Sequence, residues 1–490
     1  MGTRTPGRRG LGSRRLGAAQ VVFFVVAAAG PLFAVAGGVS ATYAVTGSVG
    51  VPLSFVLLAP VLALFAVGYA AMSRYVTNAG AFYPYAAHGI GRSAGAAVSY
   101  VTVFSYSAIQ TGIYGLFGRS VATWLGVVFG LSVPWWAIAL LMVFVVGAAG
   151  VLRIDLNAKV LGVALGLEVV VLVVLDIGLF GHPAGGSVSL VPLSPSSLFT
   201  AGAGAVFAFS LAGFTGFEGA ATYGEECRDP RRTVGRATYI AIALTAVLYV
   251  ASSLAMAVAT GPDHIVGRAA AEGPDLLFGL GARYVGQSFA DTAYVLFLTG
   301  QSAALLSFHN AVARYFFALG RDGLLPEVFS RTSKRTGAPI GGSLVQTTIS
   351  VVVVSVFALA GRDPFTDLFT WTGVTASTGV TIIMIAVSLS VIGFFRRYPG
   401  RETWWRRWGA PALAAALLTT ILVLIIASLD VLVGPAGAIP LLRWGMPGAL
   451  VLAGLAGFLR AEALRTRQPE VYAGIGGPLR DEDVLVGETR

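Results

Sequence analysis

The sequence predicts an all-α integral membrane protein with twelve transmembrane helices. Three observations predict it. Of 490 residues, 56% are hydrophobic and 11% are charged, against roughly 45–50% and about 25% in an ordinary soluble domain. Glycine supplies 63 residues, nearly twice its usual share of about 7%, and membrane helices carry more glycine than soluble ones. The apolar residues also fall into twelve continuous runs, each near the ~20 residues that cross a bilayer. Those runs show no period-two alternation, and open sheet edges leave backbone groups unbonded in lipid, so strands are disfavoured. A soluble enzyme, a nucleic-acid binder and a disordered scaffold are poor readings of such a chain.

In order, the runs lie at 20–45, 51–72, 94–118, 134–151, 158–181, 199–222, 237–260, 287–318, 340–360, 367–394, 410–434 and 441–459. The first follows Arg14 and Arg15, as a signal peptide would. Its apolar stretch is longer than a signal h-region and further spans follow, so it reads as an uncleaved first helix. For spans 4 and 12 the plain alternative is a re-entrant or interfacial segment.

Basic residues orient the spans. Of 33 Lys and Arg, 28 fall on the side of the N-terminus. The other side holds five: Arg119, Arg268, Arg283, Arg362 and Arg443. Both termini are therefore expected in the cytoplasm. The net charge of +10 reads as topology, and no nucleic-acid partner is expected. The single cysteine, Cys227, excludes an internal disulfide and a cysteine-based metal cluster. No P-loop, HExxH or Rossmann fingerprint stands in a suitable setting, so neither ATP-driven transport nor a tight cofactor is implied. Only Lys159 and Lys334 are lysine, which, with the Ala, Gly and Val richness, points to a GC-rich bacterial genome.

Two spans carry helix-unfriendly residues at mid-depth. Span 1 reads VVFFVVAAAGPLFAVAGGV, with Gly30 and Pro31 near its middle. Proline lacks an amide hydrogen and clashes with the preceding turn, so a break is expected there. Span 6 reads AGAGAVFAFSLAGFTGFEGAATYG, with Gly213 and Gly216 flanking Phe214. The spans are five apart, so two five-helix repeats of opposite topology would align the breaks. Interrupted segments at matching places are the best sequence pointer to a transport site. A broken helix exposes amides at one start and carbonyls at one end. Amides suit a carboxylate and carbonyls suit an ammonium, which makes a zwitterion a natural ligand. The bland alternative is that Gly and Pro merely kink or pack ordinary membrane helices.

With those residues in view, the chain resembles the amino acid–polyamine–organocation (APC) superfamily of permeases. The resemblance rests on AAAGPLF at 27–33, FSLAGFTGFEGAATYGEECRDPRRTVGRA at 209–237 and HNAVARYFFALGRDGLLPEVFSRTSKRTGAP at 309–339. It covers roughly residues 18–400 and implies a LeuT-like fold of five plus five inverted helices, with two further helices. The organisation would then be a cytoplasmic tail at 1–19, repeats at 20–181 and 199–394, helices 11 and 12 at 410–459, and a cytoplasmic tail at 460–490. It implies alternating access for amino acids or related amines in the cytoplasmic membrane. Backbone groups near Ala28, Ala29, Gly30 and Pro31 would hold the substrate carboxylate, and carbonyls near Ala212 and Gly213 its ammonium. Phe209 or Phe214 would serve as an aromatic lid. The chain departs from the Gly-Ser-Gly type break that many members have in span 1, and Pro31 removes one amide donor.

Charged and polar residues inside the spans complete the candidates. Glu168 lies far from both ends of span 5. A charge at a span centre costs about 2.5–3.5 kcal/mol on insertion scales and is a functional candidate by default. Burial suits a carboxyl to reversible protonation, so Glu168, helped by Glu218 just after the span-6 break, is expected to couple a proton. A protonated Glu bonded to a neighbouring helix is the plain alternative. Asp176 is expected at the interface. Gln110 would reach the substrate, although polar residues in membrane helices more often bond another helix. Ser302, Ser307, His309 and Asn310 offer ion or proton ligands. Glu225, Glu226, Arg231 and Arg232, with Arg228 and Asp229, read as a cytoplasmic gate or as a solvated loop; Arg314, Arg321 and Asp322 read likewise. The WWRRW run at 404–408 is expected to anchor at lipid headgroups, making membrane lipid a partner beside substrate and proton.

The favoured function is thus a proton-coupled secondary permease, with an amino acid or amine exchanger or a sodium symporter as the alternative. A channel or non-transporting sensor is the rival class. A membrane-embedded enzyme is disfavoured, because four dispersed histidines (His88, His182, His264, His309) offer no converging catalytic set.

Overall fold

The computed structural model describes residues 22, 26, 30–76, 82–152, 158–217, 230–333, 337–434 and 440–477. Among them the regular structure is helical throughout, with no strand. Ten helices are long and apolar enough to cross a membrane. Two shorter apolar helices, α1 (Pro31–Thr46) and α7 (Ala203–Phe214), fall where the sequence placed its interrupted spans. The chain continues from α1 through α2 (Val51–Met72), the short α3 (Phe82–Gly89), α4 (Arg92–Phe129), α5 (Trp135–Leu152) and α6 (Ala158–Phe180). After α7 come α8 (Pro230–Thr260), the connecting pair α9 (Pro262–Glu272) and α10 (Asp275–Tyr284), and α11 (Gln287–Arg321). The last helices are α12 (Ile340–Leu359), α13 (Pro364–Arg397), α14 (Trp405–Ala427), α15 (Pro440–Arg467) and the short α16 (Pro469–Gly474).

Helix ends follow local chemistry. Proline opens α1, where its missing amide hydrogen costs nothing. Gly130 closes α4 in the left-handed conformation, φ 66°, which carries no Cβ penalty in glycine. In α13, Asp363 accepts from the amides of Phe365 and Thr366, satisfying donors that a helix start leaves free.

The described helices pack on one another through a continuous apolar core that α1, α7, α8 and α13 share. By contrast, α5 and α12 expose Leu141, Phe144, Val352, Val356 and Leu359. Such faces suit lipid, where apolar side chains need no cover. Trp404 and Trp405 are also exposed, beside Glu402, which is buried and pairs with Arg74 (2.7 Å) and Arg406 (3.0 Å).

Glycine lets several helices approach backbone to backbone, as expected where small residues replace the hydrophobic effect between membrane helices. A Cβ at Gly204 of α7 would collide with the Leu424 carbonyl of α14. Gly204→Val is therefore expected to cost about 3 kcal/mol of overpacking, read as a lower unfolding midpoint in detergent. An unchanged midpoint would show that α7 and α14 do not approach so closely.

Candidate functional site

The α1 break has a defined geometry. Gly30 adopts φ 52°, ψ 73°, a left-handed conformation costly for other residues, and Pro31 then starts the helix. Because Pro31 has no N–H, the first amide available at this helix start belongs to Leu32. It donates to Glu168 Oε2 at 3.3 Å, across 136 residues of chain. Glu168 stands on α6 and is only 4% exposed. A Cβ at Gly300 of α11 would collide with Glu168 Oε1. The carboxyl is thus held between the helix start of α1 and the bare backbone of α11.

The end of α7 lies close by. The Thr215 amide donates to the Ala212 carbonyl at 3.1 Å, and Gly216 adopts φ 116°. The Tyr249 hydroxyl of α8 donates to the Gly213 carbonyl at 3.1 Å. The Tyr249 ring meets Phe55 and Phe214 at centroid distances of 5.3 and 5.9 Å. Glu168 thus bonds the start of α1, and Tyr249 bonds the end of α7. Thr215 Oγ1 is buried there without a partner among the described residues.

Beyond α1, aromatic rings pack in series. Phe33 meets Phe369 edge-on at 6.0 Å, and Phe369 stacks on Phe365 at 6.0 Å. The Arg119 guanidinium sits over Phe365 at 5.0 Å. The Tyr294 hydroxyl reaches the Ser120 carbonyl (3.0 Å) and Asp275 Oδ1 (3.1 Å). Burial pushes the Asp275 carboxyl above the usual carboxylate range, against the opposing pull of Arg119 and of the Tyr294 hydrogen bond.

Other sequence candidates lie elsewhere. Gln110 is fully buried and engaged between helices rather than at either break. Its Oε1 accepts from Gln346 Nε2 at 2.8 Å, and its Nε2 faces the Tyr114 hydroxyl (3.1 Å), the Leu305 carbonyl and His309 Nδ1 (both 3.4 Å). His309 Nε2 meets Ser343 Oγ at 2.7 Å. This network ties α4, α11 and α12 together, and Gln110 makes in it the interhelical bond that is the alternative to a substrate contact. Gln346→Leu would strand the Gln110 Oε1 acceptor, costing about 1–3 kcal/mol. It is expected to lower thermal stability without changing the apparent KM for substrate; a raised KM would return Gln110 to the substrate path.

Ser302 bonds the Leu298 carbonyl of its own helix at 2.9 Å. Ser307 is exposed, two helical turns from Gly300 on α11, and Asn310 is half-buried. Asp176, near the outer end of α6, is 6% exposed and accepts from Ser252 Oγ of α8 at 2.9 Å. The neighbours that cover it, not its place along the run, decide its burial. Phe209 is buried in the core, while Phe214 joins the Tyr249 cluster. Asp322 pairs with Arg321 (3.2 Å) and accepts from the Tyr83 hydroxyl at 2.6 Å. Ala28, Ala29, Glu218, Glu225 and Glu226 lie outside the described residues, as do the side chains of Arg231 and Arg232.

Sequence reasoning missed Tyr249, Gly300, Ser252 and the Leu32 amide. Hydroxyls and glycines are common in these spans, and a backbone amide leaves no sequence mark.

Ten long apolar helices, two short ones and a carboxyl seated at a helix start define a multi-pass membrane protein. Among the described residues no His, Cys, Asp and Glu cluster suits a metal. The profile of the family described as amino acid permease matches residues 16–454, and the chain belongs to that family, whose members are transporters and not enzymes. It is similar to a lysine-specific permease of Lactococcus lactis, at 30% identity over 41% of this chain and 39% of that protein. It is also similar to human cationic amino acid transporter 4, at 26% identity over 38% of this chain and 27% of the relative. An uncharacterized transporter of Mycobacterium tuberculosis is 31% identical over 30% of this chain and 32% of its own length. The chain thus matches less than half the length of each of these relatives.

Proposed function

We propose that the chain is a secondary active transporter of amino acids or related amines across the cytoplasmic membrane. It works by alternating access in a five-plus-five inverted repeat with two additional helices, and it couples substrate to a proton through Glu168. The observation that carries this reading is the Leu32 amide bonded to Glu168 at the start of α1.

A helix start favours negative charge. Ionised Glu168 supplies that charge and occupies the first free amide. A substrate carboxylate arriving near Gly30 meets both a taken donor and a like charge. Two unit charges about 4 Å apart repel by about 4 kcal/mol at an effective dielectric near 20. Protonation of Glu168 removes the repulsion and frees the Leu32 amide. Proton and substrate therefore favour one another, and the coupling is reciprocal. On the side of lower proton concentration, Glu168 ionises, takes back the amide and expels the carboxylate. Carbonyls near Ala212 and Gly213 hold the ammonium, with Tyr249 orienting Gly213. The gate residues Glu225, Glu226, Arg231 and Arg232, with Glu218, belong to the cytoplasmic half of the cycle.

The names of the relatives make lysine and other cationic amino acids the first substrates to try. The test is binding of labelled amino acids to purified protein between pH 5.5 and 8, with proton uptake recorded. Binding that tightens as pH falls, with about one proton taken up per substrate, is expected. Affinity that is independent of pH would remove proton coupling and favour exchange or sodium symport.

A further inference from the structure

The coupling read from Glu168 leaves a second buried carboxyl on α6 unused. Asp176 stands eight residues beyond Glu168, about 12 Å along a helix rising 1.5 Å per residue. In the orientation that the basic residues predict, it lies on the outer side of Glu168. Ser252 Oγ donates to its Oδ2, while Oδ1 is buried with no hydrogen-bond partner among the described residues. Next to it, Leu175 packs against Gly281 of α10, and Gly178 packs against Val285, which covers α6 on this side.

α8 carries further hydroxyls at levels above and below Asp176. Thr260 Oγ1 is buried and unpartnered at the outer end of α8. Ser252 is at the level of Asp176. Tyr249 is three residues further in and bonds the Gly213 carbonyl. The helices packed on α6 near Asp176 bring few ionisable groups. They are Tyr249 on α8, Asp275, Arg283 and Tyr284 on α10, Asp291 and Tyr294 on α11, and Tyr43 on α1, with His182 just past the end of α6. His182 stacks on Tyr284 at 5.0 Å, and Tyr43 donates to the Ser253 carbonyl at 2.9 Å. None forms an ion pair with Asp176 among the described residues. A buried carboxylate without a cation is costly unless it takes up a proton.

We propose that Asp176 is the outer proton-loading group of the transporter, passing its proton along the α6–α8 seam to Glu168. Its Oδ1 accepts a proton from external hydronium, which leaves as water. Over the roughly 12 Å to Glu168 the proton needs a hydroxyl relay, each hydroxyl taking one proton and releasing another, and Asp176 returns to the carboxylate as Glu168 becomes protonated. This inference rests on the proton-coupled reading of Glu168.

Three variants of the full chain in proteoliposomes test it, with initial uptake of labelled amino acids measured against external pH. Asp176→Asn is expected to slow uptake driven by an outside-acid gradient at least tenfold, with exchange between loaded vesicles persisting. Asp176→Glu is expected to restore uptake. Ser252→Ala removes a donor to the carboxylate, so Asp176 holds its proton more tightly. The external pH of half-maximal uptake should then move upward. Wild-type uptake with an unshifted pH profile in Asp176→Asn would overturn the assignment. So would loss of exchange together with uptake, which would make Asp176 a structural tie between α6 and α8. If wild type ignores the proton gradient, the Glu168 reading itself fails. If wild type responds and Glu168→Gln does not, while Asp176→Asn behaves as wild type, only the present inference fails.

Discussion

Glu168→Gln is expected to abolish accumulation of substrate against its gradient while exchange across the membrane stays measurable. Glutamine matches the carboxyl in shape, and its Oε1 can still accept from the Leu32 amide. What it loses is the change of charge. A proton drives transport only if it distinguishes the two conformations, and a glutamine gives it nothing to bind. One coupled proton supports about tenfold accumulation per pH unit, the equivalent of 1.36 kcal/mol. In Glu168→Gln the inside-to-outside ratio should fall to about 1. The pH dependence of substrate binding should vanish with it. Retained pH-driven accumulation in this variant would remove Glu168 from the mechanism.

Gly300→Ala is expected to have the next largest effect, without touching any ionisable group. The added methyl must displace the Glu168 carboxyl, because its Oε1 fills the space where a Cβ would stand. The hydrogen bond to Leu32 is then broken or stretched. Hydrogen bonds to charged groups contribute about 1.5–3 kcal/mol, so proton-driven uptake should fall by roughly tenfold to a hundredfold. Gly166→Ala on α6 is the control. No atom lies within 4 Å of the Cβ it would add, and alanine favours a helix. Both variants should purify as folded protein, and only Gly300→Ala should lose uptake. Equal uptake in the two would show that the seat of Glu168 against α11 is not needed.

The apolar runs were legible because crossing a bilayer demands length and continuity, and α2 occupies the same 51–72 that its run does. The α1 break was legible because Gly30 and Pro31 act through their own backbones. Side-chain partners were a different matter. Gln110 announces by its polarity that it needs a partner, but Gln346 stands 236 residues away. Nothing local distinguishes that partner from a substrate. Asp176, near the end of a run, gives no sign in the sequence that Ser252 of α8 will bond it. Ser307 and His309 are two residues apart on α11, yet one is exposed and the other fully buried. The helix face is set by neighbours that the run itself does not specify. Glu168 was found because a carboxyl at mid-span has no inexpensive explanation. Its donor was not found, because every residue but proline carries the same amide.

The most direct measurement is uptake of a labelled amino acid mixture into proteoliposomes, with and without an inward proton gradient. Accumulation above empty liposomes only when the gradient is imposed is the expected result. Accumulation that is the same with and without the gradient, or that follows sodium instead, would contradict proton coupling through Glu168.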